Sequence, residues 1–305
     1  MAWIKRISLF LGINLLVMFT ISFLLHVFNV GPYLTHRGIQ YSNLMAFCLI
    51  WGMGGAFISL ALSRFMAKTW MGVHVIDPDT RDPELRVLLE MVYELARSAH
   101  LSGMPEVGLY DSPEVNAFAT GPSASRSLVA VSTGLLSRLN DDEVRGVLGH
   151  EVAHIANGDM VTMTLLQGVV NAFAMFLARA IAFTLAQTMR GDRDDRDRGG
   201  VSPMATHFLS MVLEMVFLLL GSIVIAWFSR QREFRADEGG ARLAGRDSMI
   251  RALQALRRTY EGVDSQSQPS LANLKISSRP SGWMAWFASH PPLEERIARL
   301  QGFTA

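Results

Sequence analysis

The chain has 305 residues, of which 50% are hydrophobic and 18% are charged, and its formal net charge at pH 7 is +1. It is poorer in charge than an average soluble protein, and a charge so close to zero gives no reason to expect a nucleic-acid partner. The lone cysteine, Cys48, excludes both an intramolecular disulfide and a zinc site built from several thiolates.

Two apolar runs near the N-terminus predict membrane-spanning helices. The first, residues 7–28, has no charged side chain and is long enough to cross a bilayer, and the second covers residues 44–62. A signal peptide is the alternative for the first run. Because no small-residue cleavage site follows it, we favour an uncleaved anchor.

Basic residues flank these two runs and predict their orientation. Lys5 and Arg6 precede the first run, whereas Arg64 and Lys68 follow the second. Positive charge is enriched on the cytoplasmic side of membrane spans. We therefore expect the N-terminus and everything after Arg64 in the cytoplasm, with residues 35–43 outside.

The next stretch, residues 77–159, has the pattern of a soluble domain. Leucines and valines recur at helical spacing in Pro83–Ser98. Short runs of β-forming residues predict strands at 107–110, 116–121 and 128–131, with a helix at 133–139 after the last strand.

The motif His150-Glu151-Val152-Ala153-His154 lies on the following predicted helix. Asparagine and acidic residues at 140–143 suit a helix start, and Gly158 suits its end. Residues four apart share a helix face, so His150 and His154 can bind one metal ion. Glu151 then lies beside the metal, where it can take a proton from water. This pattern is typical of zinc-assisted hydrolysis, whereas two solvated surface histidines are the alternative.

Two further apolar runs, residues 161–189 and 208–228, predict a helical hairpin. A mixed-charge segment at 190–198 separates them, and no role is assigned to its charged part, 192–198. Arg179 and Glu214 lie within the runs, where an ionisable group is costly unless it is paired or near water. Either they pair or the hairpin crosses the membrane only partly. We favour a transmembrane hairpin over a buried soluble one.

The rest of the chain reads as soluble and helical. Predicted helices cover residues 229–243 and 247–261, a serine-rich loop follows at 265–281, and Pro291-Pro292 opens a last helix. A catalytic zinc usually has a third protein ligand. Asn157 and Met160 exclude the metzincin extension of the motif, which needs glycine and histidine there.

Glu233 is the best candidate for the third ligand. Asp237 lies four residues further on and shares its helix face, so it can hydrogen-bond the second nitrogen of a ligand histidine. The alternative is that Glu233 and its charged neighbours form a solvated face.

These motifs together resemble the HtpX family of bacterial membrane metalloproteases, which is related to the CAAX prenyl proteases. The segments 150–154 and 229–237 carry the resemblance, supported by the two N-terminal runs and by His290-Pro291. The resemblance implies that His150, His154 and Glu233 bind one zinc ion per chain and that Glu151 is the catalytic acid/base. It also implies a substrate-binding edge strand, formed by Asn116, Ala117, Phe118, Ala119 and Thr120.

The expected fold is an α+β membrane protein: a mostly helical zinc protease domain of the gluzincin type with a small β-sheet, plus about four transmembrane helices. The expected divisions are two N-terminal spans (1–68), the first part of the protease domain (69–160), the apolar hairpin (161–228) and the second part of the protease domain with the third ligand (229–305). His290 is expected to stabilise the oxyanion or a substrate carbonyl, or to have a structural role at the start of its helix.

The expected function is that of an inner-membrane zinc endopeptidase with its protease domain in the cytoplasm. By the resemblance it degrades misfolded or damaged proteins, including membrane proteins, under heat shock and envelope stress. Its partners are polypeptide substrates and the lipid bilayer, and the sequence gives no oligomeric state. Two alternatives are a prenyl-type peptide-processing protease, which needs more spans than about four, and a non-catalytic membrane chaperone that zinc stabilises.

Overall fold

The computed structural model describes residues 19–35, 38–189, 202–266 and 288–303. Its helices are α1 (residues 19–27), α2 (Tyr41–Trp70), α3 (Pro83–Ser98), α4 (Thr133–Arg138), α5 (Asp141–Ala156), α6 (Asp159–Thr188), α7 (Pro203–Ala244), α8 (Arg246–Gln266) and α9 (Leu293–Gln301). Its strands are β1 (Leu34–Thr35), β2 (Gly38–Ile39), β3 (His74–Val75), β4 (Glu106–Tyr110), β5 (Ala117–Ser123) and β6 (Arg126–Ser132). The fold is therefore mostly helical with a small mixed sheet, as the sequence predicts.

The described residues divide into two compact units. One takes the described residues within Met1–Ser59 and Thr164–Ile225, and the other those within Leu60–Met163 and Ala226–Ala305. Helices α2, α6 and α7 each contribute residues to both units.

The first unit holds most of the apolar helix surface. Within the described residues, α2, α6 and α7 are long and apolar enough to cross a membrane. Only 6% of the most apolar window of α7 is buried inside the protein. Such an exposed apolar surface suits lipid contact and disfavours the alternative of a buried soluble hairpin. The first predicted span lies outside the described residues up to residue 18, and its remainder is the helix α1.

Arg179 of α6 and Glu214 of α7 form an ion pair, with 3.0 Å between Arg179 Nη1 and Glu214 Oε2. Arg179 also donates to the Met175 carbonyl and lies over the Phe47 ring. Of the two expectations for these charges, mutual pairing is confirmed. The pair satisfies two ionisable groups that would otherwise be costly within an apolar hairpin.

The second unit is built on a four-stranded sheet of order β3-β4-β6-β5. Strands β4 and β6 are parallel, and β5 is antiparallel to β6, its only partner among the described strands, which leaves β5 at the edge of this sheet. Helices α3 and α5 pack with the sheet around one core, whose fully buried members include Val92, Leu95, Val129, Val131, Leu135, Leu148 and Val152.

Helix α5 begins where the sequence predicts. The Asn140 side chain accepts from the Glu143 N–H at 3.0 Å, and the Glu143 side chain accepts from the Asn140 N–H at 3.1 Å. This reciprocal pair satisfies two amides that the first helical turn leaves free. Gly158 ends the helical segment with φ of 66°, a left-handed conformation that favours glycine.

One helix carries both the second apolar run and the segment after it. The sequence predicts an apolar run to residue 228 and a helical soluble segment from 229, and α7 continues unbroken through this point to Ala244. Polarity changes at Ser229, yet neither proline nor glycine interrupts the backbone there, so the helix has no reason to stop.

Strands β1, β2 and β3 are only two residues long, so the sequence shows no alternating hydrophobic pattern that would predict them.

The predicted charged segment at 190–198 lies outside the described residues, as do residues 267–281 of the serine-rich loop.

Candidate active site

Three side chains that could hold a metal ion meet in the second unit. His150 and His154 lie one turn apart on α5, with their Nε2 atoms 3.1 Å from each other. Glu233 reaches them from α7: its Oε2 lies 3.5 Å from His150 Nε2, and its Oε1 lies 3.4 Å from His154 Nε2. All three side chains are buried. The structure thus brings together the two histidines and the predicted third ligand.

The spacing of these atoms fits a tetrahedral metal ion. Zinc ligands lie about 2.0–2.1 Å from the ion, so two ligands of a tetrahedral site are roughly 3.3 Å apart. The two Nε2 atoms are 3.1 Å apart, close to that value. Each Nε2 lies 3.4–3.5 Å from one carboxylate oxygen of Glu233, Oε1 for His154 and Oε2 for His150. One ligand atom from each of the three residues lies within 4.8 Å of the other two. Two imidazoles and one carboxylate are also a donor set that zinc prefers. The residues therefore fit a zinc ion.

A close approach of α5 and α7 makes this meeting possible. A Cβ added at Gly240 would lie 2.9 Å from the backbone nitrogen of His150, and one at Gly149 would lie 2.8 Å from the Ala244 Cβ. Only glycine allows the two backbones to come this near. The small residues therefore set the distance at which Glu233 reaches the histidines.

Asp237 lies beside His150. Its Oδ1 is 3.0 Å from His150 Nδ1, an ion-pair distance rather than a well-aligned hydrogen bond. Arg296 of α9 donates two hydrogen bonds to the same carboxylate, from Nη2 to Oδ1 at 2.6 Å and from Nε to Oδ2 at 2.7 Å. This bidentate pair fixes the Asp237 carboxylate against the ring of His150.

His154 has a carboxylate partner of its own. Its Nδ1 lies 2.6 Å from Oδ2 of Asp159, and both side chains are buried. Asp159 follows the motif by five positions and begins α6.

The electrostatics of the site favour positive charge between the two rings. Burial lowers the pKa of His150, but the carboxylates of Asp237 and Glu233 beside its ring outweigh burial and raise the pKa above its usual value. Burial likewise opposes protonation of His154, yet Asp159 and Glu233 raise its pKa to about 9. The same carboxylates that attract protons here suit a metal cation.

Glu151 contacts the edge strand. Its Oε2 accepts a hydrogen bond from the Ala119 N–H at 2.9 Å. Of the predicted strand residues, Ala117, Phe118, Ala119 and Thr120 lie in β5. Asn116 precedes the strand and is tied to Ser132 by its N–H and its carbonyl. The motif glutamate and the edge strand are thus adjacent.

His290 lies next to the predicted metal ligands. Its Nδ1 is 3.0 Å from Oε2 of Glu233, and its side chain is 63% exposed. The N-cap of α9 is Pro292, not His290. An exposed imidazole beside the buried site is placed where it can meet a substrate.

Sequence reasoning did not identify Arg296 or Asp159 as parts of the site. Arg296 lies on the buried face of α9, six residues after His290. Nothing in the sequence near Arg296 indicates that its carboxylate partner lies on another helix. For Asp159 a signal was present, because a glycine that ends a helix turns the chain back on itself. A carboxylate directly after Gly158 is therefore held near the last helical turn.

Known proteins match over nearly the whole chain. The family model described as Peptidase family M48 matches residues 82–304. A "Protease HtpX homolog" of Bacillus subtilis (strain 168) is 48% identical over 305 residues, covering 97% of this chain and 99% of the relative. "Protease HtpX" of Aeromonas hydrophila subsp. hydrophila is 49% identical over 301 residues, covering 98% of this chain and 100% of the relative.

A solved structure shares the fold. The crystal structure of S. mikatae Ste24p superposes with a TM-score of 0.63 at 16% sequence identity, covering 98% of this chain and 66% of that chain. At this identity the likeness concerns the fold alone.

Proposed function

The chain belongs to peptidase family M48 and is a membrane-bound metalloprotease, and we propose that it is a zinc endopeptidase of the bacterial inner membrane with a role in protein quality control. Its proposed substrates are misfolded or damaged proteins, including membrane proteins, under heat shock and envelope stress. The observation that carries the proposal is the cluster of His150, His154 and Glu233, with Glu151 beside it and an open strand edge next to Glu151.

We assign the metal ligands as His150, His154 and Glu233, holding one zinc ion per chain. When bound, zinc supplies a Lewis acid that polarises a peptide carbonyl and makes water more acidic. The three buried side chains fix where that chemistry takes place. Asp237, held by Arg296, keeps His150 oriented so that its Nε2 faces the shared site.

Glu151 is the proposed general base and acid. Its carboxylate takes a proton from the attacking water and then gives it to the leaving nitrogen of the cleaved peptide. The Ala119 N–H fixes the position of one carboxylate oxygen and leaves the other for the proton. His290, at the exposed side of Glu233, is the proposed donor to the substrate carbonyl oxygen.

Substrate binding is proposed at the free edge of β5. Ala119 pairs with Val129 of β6, yet its N–H points away from β6 toward Glu151. Backbone N–H and C=O groups of successive residues in a strand point to opposite sides. Ala117 lies two residues before Ala119, so its backbone groups point outward in the same direction. An extended polypeptide can pair there through backbone hydrogen bonds, which recognises chain conformation more than side chains. Such recognition suits unfolded substrates.

Metal dependence is the direct test of this proposal. We expect the detergent-purified protein to contain about one zinc per chain and to cleave casein and an unfolded membrane protein. Chelation should abolish cleavage, and added zinc should restore it. Cleavage that continues in the chelated protein, with metal loss verified by elemental analysis, would overturn the assignment.

A further inference from the structure

We propose that Asp159 is the positioning residue for His154: its carboxylate accepts the Nδ1–H of His154 and so directs Nε2 of that ring to the metal. This inference rests on the proposed function of the site as a zinc centre. It adds a second carboxylate–histidine pair to the one that Asp237 forms with His150.

The contact itself is short and buried. The 2.6 Å between His154 Nδ1 and Asp159 Oδ2 is typical of a charge-assisted hydrogen bond, and it lies in the buried interior of the second unit. An imidazole that donates from Nδ1 has its free electron pair on Nε2. That nitrogen is the one that lies 3.1 Å from His150 Nε2 and 3.4 Å from Glu233 Oε1. The hydrogen bond thus selects the tautomer that the metal site needs.

The backbone around Gly158 places this carboxylate. Helix α5 ends at Ala156, and the left-handed conformation of Gly158 turns the chain so that the next residue lies back beside His154. A Cβ at Gly158 would meet nothing within 4 Å, so the turn requires glycine for its φ and not for space. Asp159 then lies in the first turn of α6, where the helix dipole favours a negative side chain.

The two carboxylates differ in their surroundings. Asp237 lies on α7, and Arg296 donates two hydrogen bonds to its carboxylate. Asp159 lies in the first turn of α6, a candidate membrane span. The two histidines are therefore oriented from two different elements, α7 for His150 and α6 for His154. Removing Asp159 frees the ring of His154 even when Asp237 and Arg296 are intact.

The test compares zinc affinity in the full-length protein, measured by competition with a chromophoric chelator. Loss of a carboxylate behind a ligand histidine typically weakens metal affinity about 10–100-fold. We expect a loss within that range for Asp159→Ala. For Asp159→Asn, which keeps an acceptor oxygen but loses its charge, we expect zinc affinity to fall about tenfold. Asp79→Asn removes an exposed carboxylate elsewhere and should bind zinc as the wild type does.

Cobalt replacement gives a readout that does not depend on activity. The visible absorption bands of the cobalt-loaded Asp159 variants should shift, because loss of the Nδ1 hydrogen bond changes the orientation and the basicity of the His154 imidazole. Cleavage by Asp159→Asn should recover in excess zinc.

Other outcomes separate the possible failures. If Asp159 only stabilises the start of α6, its variants melt at a lower temperature but keep wild-type zinc affinity and an unchanged cobalt spectrum, and the inference is wrong. Should Asp159→Ala not fold, Asp159→Asn decides alone, and wild-type affinity in it overturns the inference. A wild-type protein that binds no zinc would instead overturn the proposed function.

Discussion

At the scale of single residues, the site consists of two histidines that carboxylates surround. Glu233 lies 3.4–3.5 Å from both Nε2 atoms, whereas Asp237 faces the opposite nitrogen of His150. Helical spacing alone makes these two carboxylates equivalent, since both lie on one face of α7. Their different contacts give them different roles.

These roles predict different responses to zinc. Glu233→Ala removes a direct ligand, so we expect zinc binding and activity to be lost together. Asp237→Asn only loosens the orientation of His150, so it should weaken zinc binding about 10–100-fold and regain part of its activity in excess zinc. Zinc titrations of both variants beside the wild type provide the measurement. If instead Glu233→Ala binds zinc normally, the third ligand lies elsewhere.

At the scale of helices and strands, the packing of α5 against α7 sets the geometry of the metal site. Gly240 lies against the backbone of His150, and Gly149 lies against Ala244. Neither contact has room for a larger residue. The distance between the two helices, and with it the reach of Glu233, depends on these glycines.

Gly240→Ala should therefore disturb the metal site although Gly240 is not a ligand. Its new Cβ would lie 2.9 Å from the His150 nitrogen, so the helices must separate. Overpacking of this kind costs about 1–3 kcal/mol of stability. We expect a lower melting temperature together with weaker zinc binding. Gly55→Ala is the control, because a Cβ there meets nothing within 4 Å. Equal zinc affinity in the two variants would contradict this account of the helix packing.

The elements also show which parts of the site a sequence can predict. The Asn140–Glu143 cap and the pair of His150 and His154 each join residues three or four apart on one helix. Their spacing in the sequence was therefore sufficient to predict both contacts. Arg296 was missed because its partner Asp237 lies 59 positions away on another helix. The change of polarity at residue 228 does not show that one helix carries both sides of it, because backbone preference does not change there.

At the scale of the whole molecule, the chain combines a set of apolar helices with a metalloprotease unit. Two of the basic residues that predict its orientation, Arg64 and Lys68 of α2, both pair with Glu106 of β4. Such pairs connect the end of a membrane-spanning helix to the sheet. The charge of both residues still counts toward topology during insertion, before the soluble unit has folded.

The orientation predicts where the protease unit lies. A reporter fused near Arg126 should behave as cytoplasmic, because the positive charges at Lys5, Arg6, Arg64 and Lys68 remain on that side. Paired reporters that are active on only one side of the membrane provide the measurement. If the reporter that is active only outside the cytoplasm is active at this position, the proposed topology is wrong.

The central claim, that this chain is a zinc protease whose general base is Glu151, is tested most directly by Glu151→Gln. The substitution removes the base but no metal ligand, so zinc content should stay at about one per chain. Cleavage of an unfolded substrate should fall by about 10²–10⁴-fold. Glu90→Gln, a matched change at an exposed glutamate of α3, should cleave as the wild type does. Turnover near the wild-type rate in zinc-loaded Glu151→Gln would contradict the account.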